Sequence, residues 1–556
     1  TRPSSTPSWP GSPPRRPRIG DANHSARKRP PSRRSCSQRW GCATALSGVG
    51  AAASTFGFQL ATMGSAAAQT ATSYKALVCI FLFGGNDSNN MVMATDPDSW
   101  GRYFTARRQG NNPIALMPVG TPPTPIGQSN PVTGRVPANF QVPEAWGGVL
   151  PIATLTPNPV PPGTSATART FGLNPHLAAL LPIWTGGRLA VAANVGPLIV
   201  PTTKAQYRAR SVPLPASLMS HNDQQSTWQA GSAEGARRGW GGLMADQLLA
   251  NNGTNSVFTA ISTAGNAVLL AGQNVIQYQM STSQTNPAIR INAGVAANTN
   301  VYGTSGQGAR VREIIRDTAG SSYFMQDYGA KVVRSQDSAD LLNAQFAAGG
   351  PGAAIAAPTQ VLNPITRAME NNSLAVQLQT VAKVIAANQV LGIRRQVFFV
   401  SMGGFDTHDV QNTSQSPLMA RLAHAMAYFD GALANVGGVD IRDQVTTFTA
   451  SDFSRTFTTN GDGTDHAWGS HQFVMGGAVR GGDVYGQFPT VGVDVTGGFQ
   501  NPNMQNNVLI PQMSVDQYAG TMGRWFGLND GQIASIFPNI PNFTNRYLDF
   551  LAAPVA

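Results

Sequence analysis

The sequence predicts an α/β protein in which helices cover a mostly parallel β-sheet. Three runs, Tyr74–Phe83, Gln396–Val400 and Val445–Ala450, are rich in aliphatic, β-branched and aromatic residues and have the length of buried strands. Patterns with helical spacing lie between them, such as Asn363–Gln389 and Leu418–Leu433. Strands that alternate with helices are typical of a sheet whose strands run parallel to one another.

The length of 556 residues allows one large domain with insertions, or roughly two or three domains. We expect residues 74–550 to form a single domain. Two stretches, at about 100–170 and 264–305, are rich in Gly, Pro, Thr and Asn and have little periodicity. They predict insertions of loops and short strands at the edge of that domain.

The formal charge of +11 lies almost entirely at the start of the chain. Residues 1–40 contain ten Lys or Arg and one acid, Asp21, which gives +9 and leaves +2 for the rest. A basic patch with interleaved aromatic residues is absent from that remainder, so the sequence does not predict nucleic-acid binding.

The first 70 residues predict an extension followed by a signal peptide. Residues 1–35 are rich in Pro, Ser and Arg and lack apolar periodicity, which predicts disorder. Within 32–70, the pair Arg33-Arg34 precedes a mildly apolar stretch, Cys42–Met63, and a run of small residues, Ser65–Gln69. The arginine pair resembles a twin-arginine signal, which predicts export by that machinery to the periplasm, the outer surface or the medium. A transmembrane anchor is less favoured, because four glycines interrupt Leu46–Gly64.

Cysteine usage limits the metal chemistry that the exported part could support. Cys36 and Cys42 lie in the predicted signal, which leaves Cys79 inside the first predicted strand. A single buried cysteine forms neither an internal disulfide nor a multi-thiolate site. Any metal ion must therefore be bound by Asp, Glu, His or hydroxyl groups.

Four polar clusters follow a predicted strand or begin a predicted helix, and they contain four of the six histidines after the signal. Loops at the carboxyl ends of parallel strands open on the same edge of a sheet, so we expect these clusters to converge. Four unrelated polar turns are the alternative. The residues of interest in the clusters are Asp87; Ser220 and His221; Asp406 and His408; and Asp452, Arg455, Asp465, His466 and His471.

Mixed Asp and His ligands without Cys suit zinc, manganese or a similar divalent ion, whereas an all-oxygen set would suit magnesium or calcium. Two such ions could activate a nucleophile and stabilise a leaving oxygen. Ser220, at the predicted start of a helix, is a candidate nucleophile because of the helix dipole and free backbone N–H groups, although helix capping would also explain it. Arg455 could bind two oxygens of a phosphate or sulfate, and a surface or ion-paired role is the alternative.

The motifs GGNDSNN, SHNDQQSTWQAG, GFDTH, SDFSRT and DHAWGSHQFVMGGAV resemble the domain-of-unknown-function 1501 family over most of residues 74–545. That family is placed in the alkaline phosphatase/sulfatase-like superfamily. The resemblance implies a three-layer α/β/α sandwich around a mostly parallel sheet, commonly with two metal sites. It implies no substrate.

By motif, the resemblance implies metal-ligand roles for Asp87, Asp406, His408, Asp452 and His471, and the nucleophile position for Ser220. One departure is clear, because Phe453 stands where the superfamily has a histidine. His466 or Asp465 would have to replace that ligand. The sulfatase Cys/Ser-x-Pro-x-Arg signature is absent, so a formylglycine sulfatase is not expected.

These observations predict an exported, metal-dependent hydrolase of phosphate- or sulfate-type esters with a serine nucleophile. The alternative is a non-catalytic binding or structural protein of the cell envelope that retains the fold, which Phe453 and the long insertions favour. The predicted catalytic residues are Ser220, His221 and Arg455; the predicted ligands of the divalent ions, zinc or manganese, are Asp87, Asp406, His408, Asp452, His466 and His471.

Overall fold

A computed structural model describes residues 73–161, 165, 167–288, 307–317 and 322–551. The predicted extension (1–35) and the predicted signal peptide (32–70) lie outside the described residues. Among the helices that are described, none combines the length and the apolar character needed to span a bilayer.

The described part of the chain is built around a nine-stranded sheet with the order β13-β5-β12-β11-β1-β10-β6-β7, in which β16 also pairs with β5. All neighbouring pairs are parallel except those of β12, which runs antiparallel to β11 and β5. The mostly parallel sheet is therefore confirmed. Its strands are β1 (Lys75–Leu82), β5 (Leu189–Gly196), β6 (Ala260–Ser262), β7 (Tyr278–Gln279), β10 (Arg395–Met402), β11 (Val445–Ser451), β12 (Ser470–Met475), β13 (Asp483–Tyr485) and β16 (Met513–Ser514).

Seven short strands form small sheets outside the central one. They are β2 (Val92–Ala94), β3 (Leu150–Ile152) and β4 (Phe171–Leu173), ordered β2-β4-β3; β8 (Val361–Leu362) with β9 (Met369–Glu370); and β14 (Met504–Gln505) with β15 (Val508–Leu509). Residues of the 100–170 stretch, such as Leu116 and Ile152, belong to the same apolar cluster as the central sheet. The stretch therefore packs onto the main core.

Twelve α-helices are described. They are α1 (Pro97–Arg107), α2 (Leu181–Thr185), α3 (Lys204–Ala209), α4 (His221–Ala230), α5 (Trp240–Gln247), α6 (Gln307–Arg316), α7 (Tyr323–Phe346), α8 (Ser373–Ala386), α9 (Asn388–Leu391), α10 (Gln411–Leu433), α11 (Val515–Phe526) and α12 (Asp530–Ile536).

The helices cover both faces of the sheet because the strands are apolar on both sides. Along β1, Val78 and Ile80 face one apolar cluster, whereas Cys79 and Phe81 face the other. Residues of α8 and α10 belong to the first cluster, and residues of α5, α11 and α12 to the second. The α/β class is thus confirmed, whereas a specifically alkaline-phosphatase-like fold stays a prediction.

Several predicted elements differ from those observed. The single helix predicted for Asn363–Gln389 is instead the β8–β9 hairpin followed by α8, because the Asn372 side chain accepts hydrogen bonds from the first backbone N–H groups and so fixes the helix start. Residues Pro175–Leu180 form a 3-10 helix before α2. In the 264–305 stretch, for which loops and short strands were predicted, β7 pairs in parallel with β6; residues 289–306 lie outside the described residues.

Candidate functional site

Parallel pairing brings three strand-end loops to one edge of the sheet. β1 lies between β10 and β11, and all three run in the same direction. The loop after β10 provides Asp406, and the chain that leaves β11 provides Asp452 and Arg455. α4, which begins at His221, approaches the same edge, since the His221 side chain contacts Asp452.

Four side chains converge there, and we refer to them as the His3Asp cluster: His221, Asp406, His408 and His466. The potential ligand atoms of His221, Asp406 and His466 all lie within 4.8 Å of one another. The Nε2 atom of His408 is 2.9 Å from Nε2 of His466 and 3.2 Å from Oδ1 of Asp406. The remaining Asp406 distances are 3.4 Å to Nε2 of His466 and 3.6 Å to Nε2 of His221.

A hydrogen bond at Nδ1 orients each imidazole of the cluster. Nδ1 of His466 donates to the Met219 carbonyl oxygen at 2.8 Å, and a carbonyl can only accept. Nδ1 of His221 lies 2.7 Å from a carboxylate oxygen of Asp452. Nδ1 of His408 lies 3.2 Å from Oδ1 of Asp465. Partners of this kind are typical of metal-binding histidines, because they fix the tautomer and direct Nε2 towards the ion.

The surroundings shift the pKa values of two imidazoles of the cluster in opposite directions. Burial lowers the pKa of His466, whereas the hydrogen bond to Asp452 raises the pKa of His221. Burial acts to raise the pKa of Asp406, but the hydrogen bond and charge of Arg455 outweigh it and hold that pKa below its usual range. Asp406 is thus a carboxylate at neutral pH.

Arg455 holds Asp406 in place through an ion pair. Its Nη1 donates to Oδ1 of Asp406 at 2.7 Å, and its Nη2 donates to the Thr464 carbonyl at 2.6 Å. The Arg455 side chain has no exposed surface, whereas that of Asp406 is 47% exposed. The predicted role of Arg455 as an anion-binding group therefore needs correction, since a buried guanidinium that already has partners does not face a substrate.

Asp87, predicted to be a metal ligand, forms a fully buried ion pair instead. Arg107 donates to both of its oxygens, at 2.5 Å and 3.0 Å, and Gln411 donates to Oδ2 at 2.6 Å. Neither side chain has exposed surface. Both carboxylate oxygens are therefore engaged by protein donors.

His471 is likewise separate from the cluster. Its Nδ1 accepts the backbone N–H of Asn194 at 3.0 Å, and its ring stacks on Phe488 at 4.5 Å between centroids. Burial lowers the pKa of His471 to about 3, so it is neutral at ordinary pH. These contacts indicate a structural histidine of β12 and not the predicted ligand.

Asp452 contacts the cluster through the side chain of His221. One of its oxygens, Oδ2, accepts from His221, from Nε2 of Gln225 at 2.8 Å and from the Gly84 backbone N–H at 3.2 Å. The carboxylate is fully buried, and its other oxygen has no partner among the described residues. These contacts make Asp452 an orienting group for His221, and its predicted role as a metal ligand stays a prediction.

Ser220 occupies the position before the first residue of α4, as predicted, but its side chain makes no capping bond. The nearby Ser220 side chain lowers the pKa of Asp223. The described contacts of this hydroxyl do not include the His3Asp cluster, so they give no support to the predicted nucleophile.

Phe453 packs against two imidazoles of the His3Asp cluster. Its ring is fully buried, 4.8 Å from the His221 ring and 4.6 Å from the His466 ring between centroids. It also covers Gly85, where an added Cβ would lie 2.3 Å from the ring. The one group of potential ligand atoms that meets within 4.8 Å among the described residues, His221, Asp406 and His466, has room for one ion.

Sequence reasoning named His221 but missed the backbone partner of the site and the partner of Asp87. His221 was predicted to be catalytic and instead lies among the ligand atoms of the His3Asp cluster. The Met219 carbonyl carries no signal in the sequence, because a backbone group is available at every residue. Arg107, the partner of Asp87, lies at the end of α1 in a stretch that has little pattern.

A family model described as "Protein of unknown function (DUF1501)" matches residues 74–537. Among curated proteins, none matches the chain. The matched residues run from β1 to α12 and include every residue of the His3Asp cluster. Because it spans well over half of the sequence, the chain belongs to the DUF1501 family.

Proposed function

We propose that this protein is a metal-dependent hydrolase of phosphate- or sulfate-type esters in which the His3Asp cluster holds one divalent ion. The observation that carries the proposal is that the potential ligand atoms of His221, Asp406 and His466 all lie within 4.8 Å of one another. Nδ1 of His466 carries its proton, so its Nε2 presents a lone pair. Nε2 of His408 lies 2.9 Å from Nε2 of His466 and would serve as a further ligand in its deprotonated form.

Three imidazole nitrogens and one carboxylate form a ligand set that suits zinc or manganese. An ion bound there supplies Lewis-acid polarisation of an ester oxygen and lowers the pKa of water. The chain's own residues orient the ligands: Asp452 holds His221, Arg455 holds Asp406, and the Met219 carbonyl holds His466. Phe453 excludes water from one side.

The attacking group in this proposal is water and not Ser220. The described contacts of the Ser220 side chain do not join it to the His3Asp cluster. Since Arg455 is buried, the ion itself and not a guanidinium would bind the anionic oxygens of the substrate.

Elemental analysis of purified protein after exposure to zinc or manganese tests the metal centre. We expect one equivalent per chain, and a large loss in His466→Ala. His424→Gln is the matched control, because His424 lies on α10 and its ring nitrogens contact Asn372 and Thr359. A folded protein that binds no divalent ion would contradict the proposal.

Hydrolysis of chromogenic phosphate and sulfate monoesters then tests the reaction. Ser220→Ala should retain activity, whereas Asp406→Asn should lose both activity and ion. If Ser220→Ala abolished turnover but kept the ion, serine would be the nucleophile after all.

The second candidate is a non-catalytic protein of the cell envelope. The burial of Arg455 favours it, because burial removes a group that the sequence predicted for catalysis. This second candidate predicts one bound ion and no hydrolysis of any of the chromogenic phosphate and sulfate monoesters.

Export is part of both candidates. We propose that the twin-arginine machinery exports the chain to the periplasm, the outer surface or the medium, on the basis of Arg33-Arg34 and the mildly apolar stretch that follows. Fusing residues 1–75 to a reporter tests this, since replacing both arginines by lysine should retain the reporter in the cytoplasm.

A further inference from the structure

The segment 210–220 joins α3 to α4 and has an unfavourable backbone conformation. Three of its residues, Arg210, Ser217 and Met219, have positive φ angles of 49°, 49° and 70°. Residues with a Cβ rarely adopt this left-handed region, because the Cβ approaches the carbonyl oxygen. Other contacts must therefore stabilise the segment.

The His3Asp cluster supplies one of those contacts and is joined to the segment through the chain itself. The Met219 carbonyl accepts the hydrogen bond from Nδ1 of His466, and Ser220 is joined directly to His221. Additional support comes from outside the cluster: Leu218 and Met219 pack partly buried against a cluster that includes Trp468. The segment is thus attached to two of the four cluster residues.

We infer that the order of the 210–220 segment is coupled to occupancy of the His3Asp cluster by a divalent ion. The inference rests on the proposed metal centre and adds a means of its regulation. An ion that binds His466 and His221 favours the arrangement in which Met219 presents its carbonyl. By linkage, an ordered segment must raise the affinity for the ion by the same factor. Loss of the ion would favour disorder of the 210–220 segment.

Trypsin reports this coupling, because Arg208 and Arg210 are exposed at the start of the segment. We expect manganese to slow cleavage after these residues by about fivefold or more, the range in which two coupled sites usually influence each other. Arg367 is a matched control: it is also exposed, has a φ of 60° and lies in the β8–β9 turn. Cleavage there should not respond to manganese, and it reveals any effect of the ion on trypsin itself.

Two variants separate coupling from side-chain packing. Met219→Gly and Met219→Ala both remove the thioether, but only glycine relieves the strain of the left-handed conformation. We expect Met219→Gly to bind manganese several-fold more tightly than Met219→Ala and to be cleaved more slowly without the ion.

The outcomes also distinguish this inference from the proposed function. If manganese binds with one equivalent but cleavage after Arg210 does not change, the coupling is wrong and the metal centre stands. Equal manganese affinity of the two Met219 variants would contradict the coupling as well. If no ion binds, both ideas fail.

Discussion

Replacing Asp87 by asparagine tests the reassignment of this carboxylate from metal ligand to ion-pair partner. The substitution keeps the shape of the side chain but leaves the Arg107 guanidinium buried without a counter-charge. Removing one partner of a fully buried pair costs about 3–5 kcal/mol. We therefore expect Asp87→Asn to be clearly less stable and to bind its ion as the wild type does.

The expected shift in melting temperature follows from the size of the protein. For roughly 450 described residues, an unfolding entropy of about 2.1 cal/mol/K per residue gives about 1 kcal/mol per degree. The loss of 3–5 kcal/mol then lowers the melting temperature by about 3–5 °C.

Calorimetry combined with elemental analysis is the assay. Glu370→Gln is the control, because the Arg421–Glu370 pair is 32% and 27% exposed, and pairs near the surface typically contribute about 0–1 kcal/mol. An Asp87→Asn variant that melts like the wild type but loses its ion would refute the reasoning and restore Asp87 as a ligand.

Three further predictions concern groups around the site. Asp452→Asn should weaken ion affinity by about 10- to 100-fold, as loss of an orienting partner usually does, while His221→Ala should weaken it more; titration with zinc measures both. Gly85→Ala should destabilise the protein, because the new methyl would meet the Phe453 ring at 2.3 Å in a backbone with φ of 81°, and Gly85→Ala combined with Phe453→Leu should recover part of the loss; urea unfolding tests this. His471 has a folded pKa of about 3 against about 6.5 when unfolded, so the unfolded state binds more protons below pH 6.5 and stability falls towards pH 3. The lowered pKa of His471 should reduce the free energy of unfolding by about 3 kcal/mol at pH 4 and should have almost no effect at pH 7. A His471→Gln variant should therefore show a flatter dependence of the unfolding free energy on pH.

The sheet was predictable because its strands carry a strong local signal. Apolar runs such as Tyr74–Phe83 and Gln396–Val400 correspond to β1 and β10 to within a few residues. The convergence of the strand-end loops followed from parallel pairing alone. The helix predicted from Asn363 failed where the local pattern continued but the Asn372 cap set a later start.

The roles within the site were less predictable, because they depend on contacts between residues distant in sequence. Asp87 and Asp406 each lie two residues after a Gly-Gly pair at a strand end, so the sequence pattern predicts the same role for both. Only the fold shows that Arg107 neutralises Asp87 in the interior, whereas Arg455 leaves Asp406 half exposed. His471 similarly belongs to the core and not to the site because β12 buries its ring.

X-ray absorption spectroscopy of the zinc- or manganese-loaded protein is the most direct test of the His3Asp cluster. The account predicts one ion whose shell contains three imidazole nitrogens and a carboxylate oxygen, with one imidazole fewer in His408→Ala. A shell made only of oxygen, or an unchanged shell in His408→Ala, would contradict it.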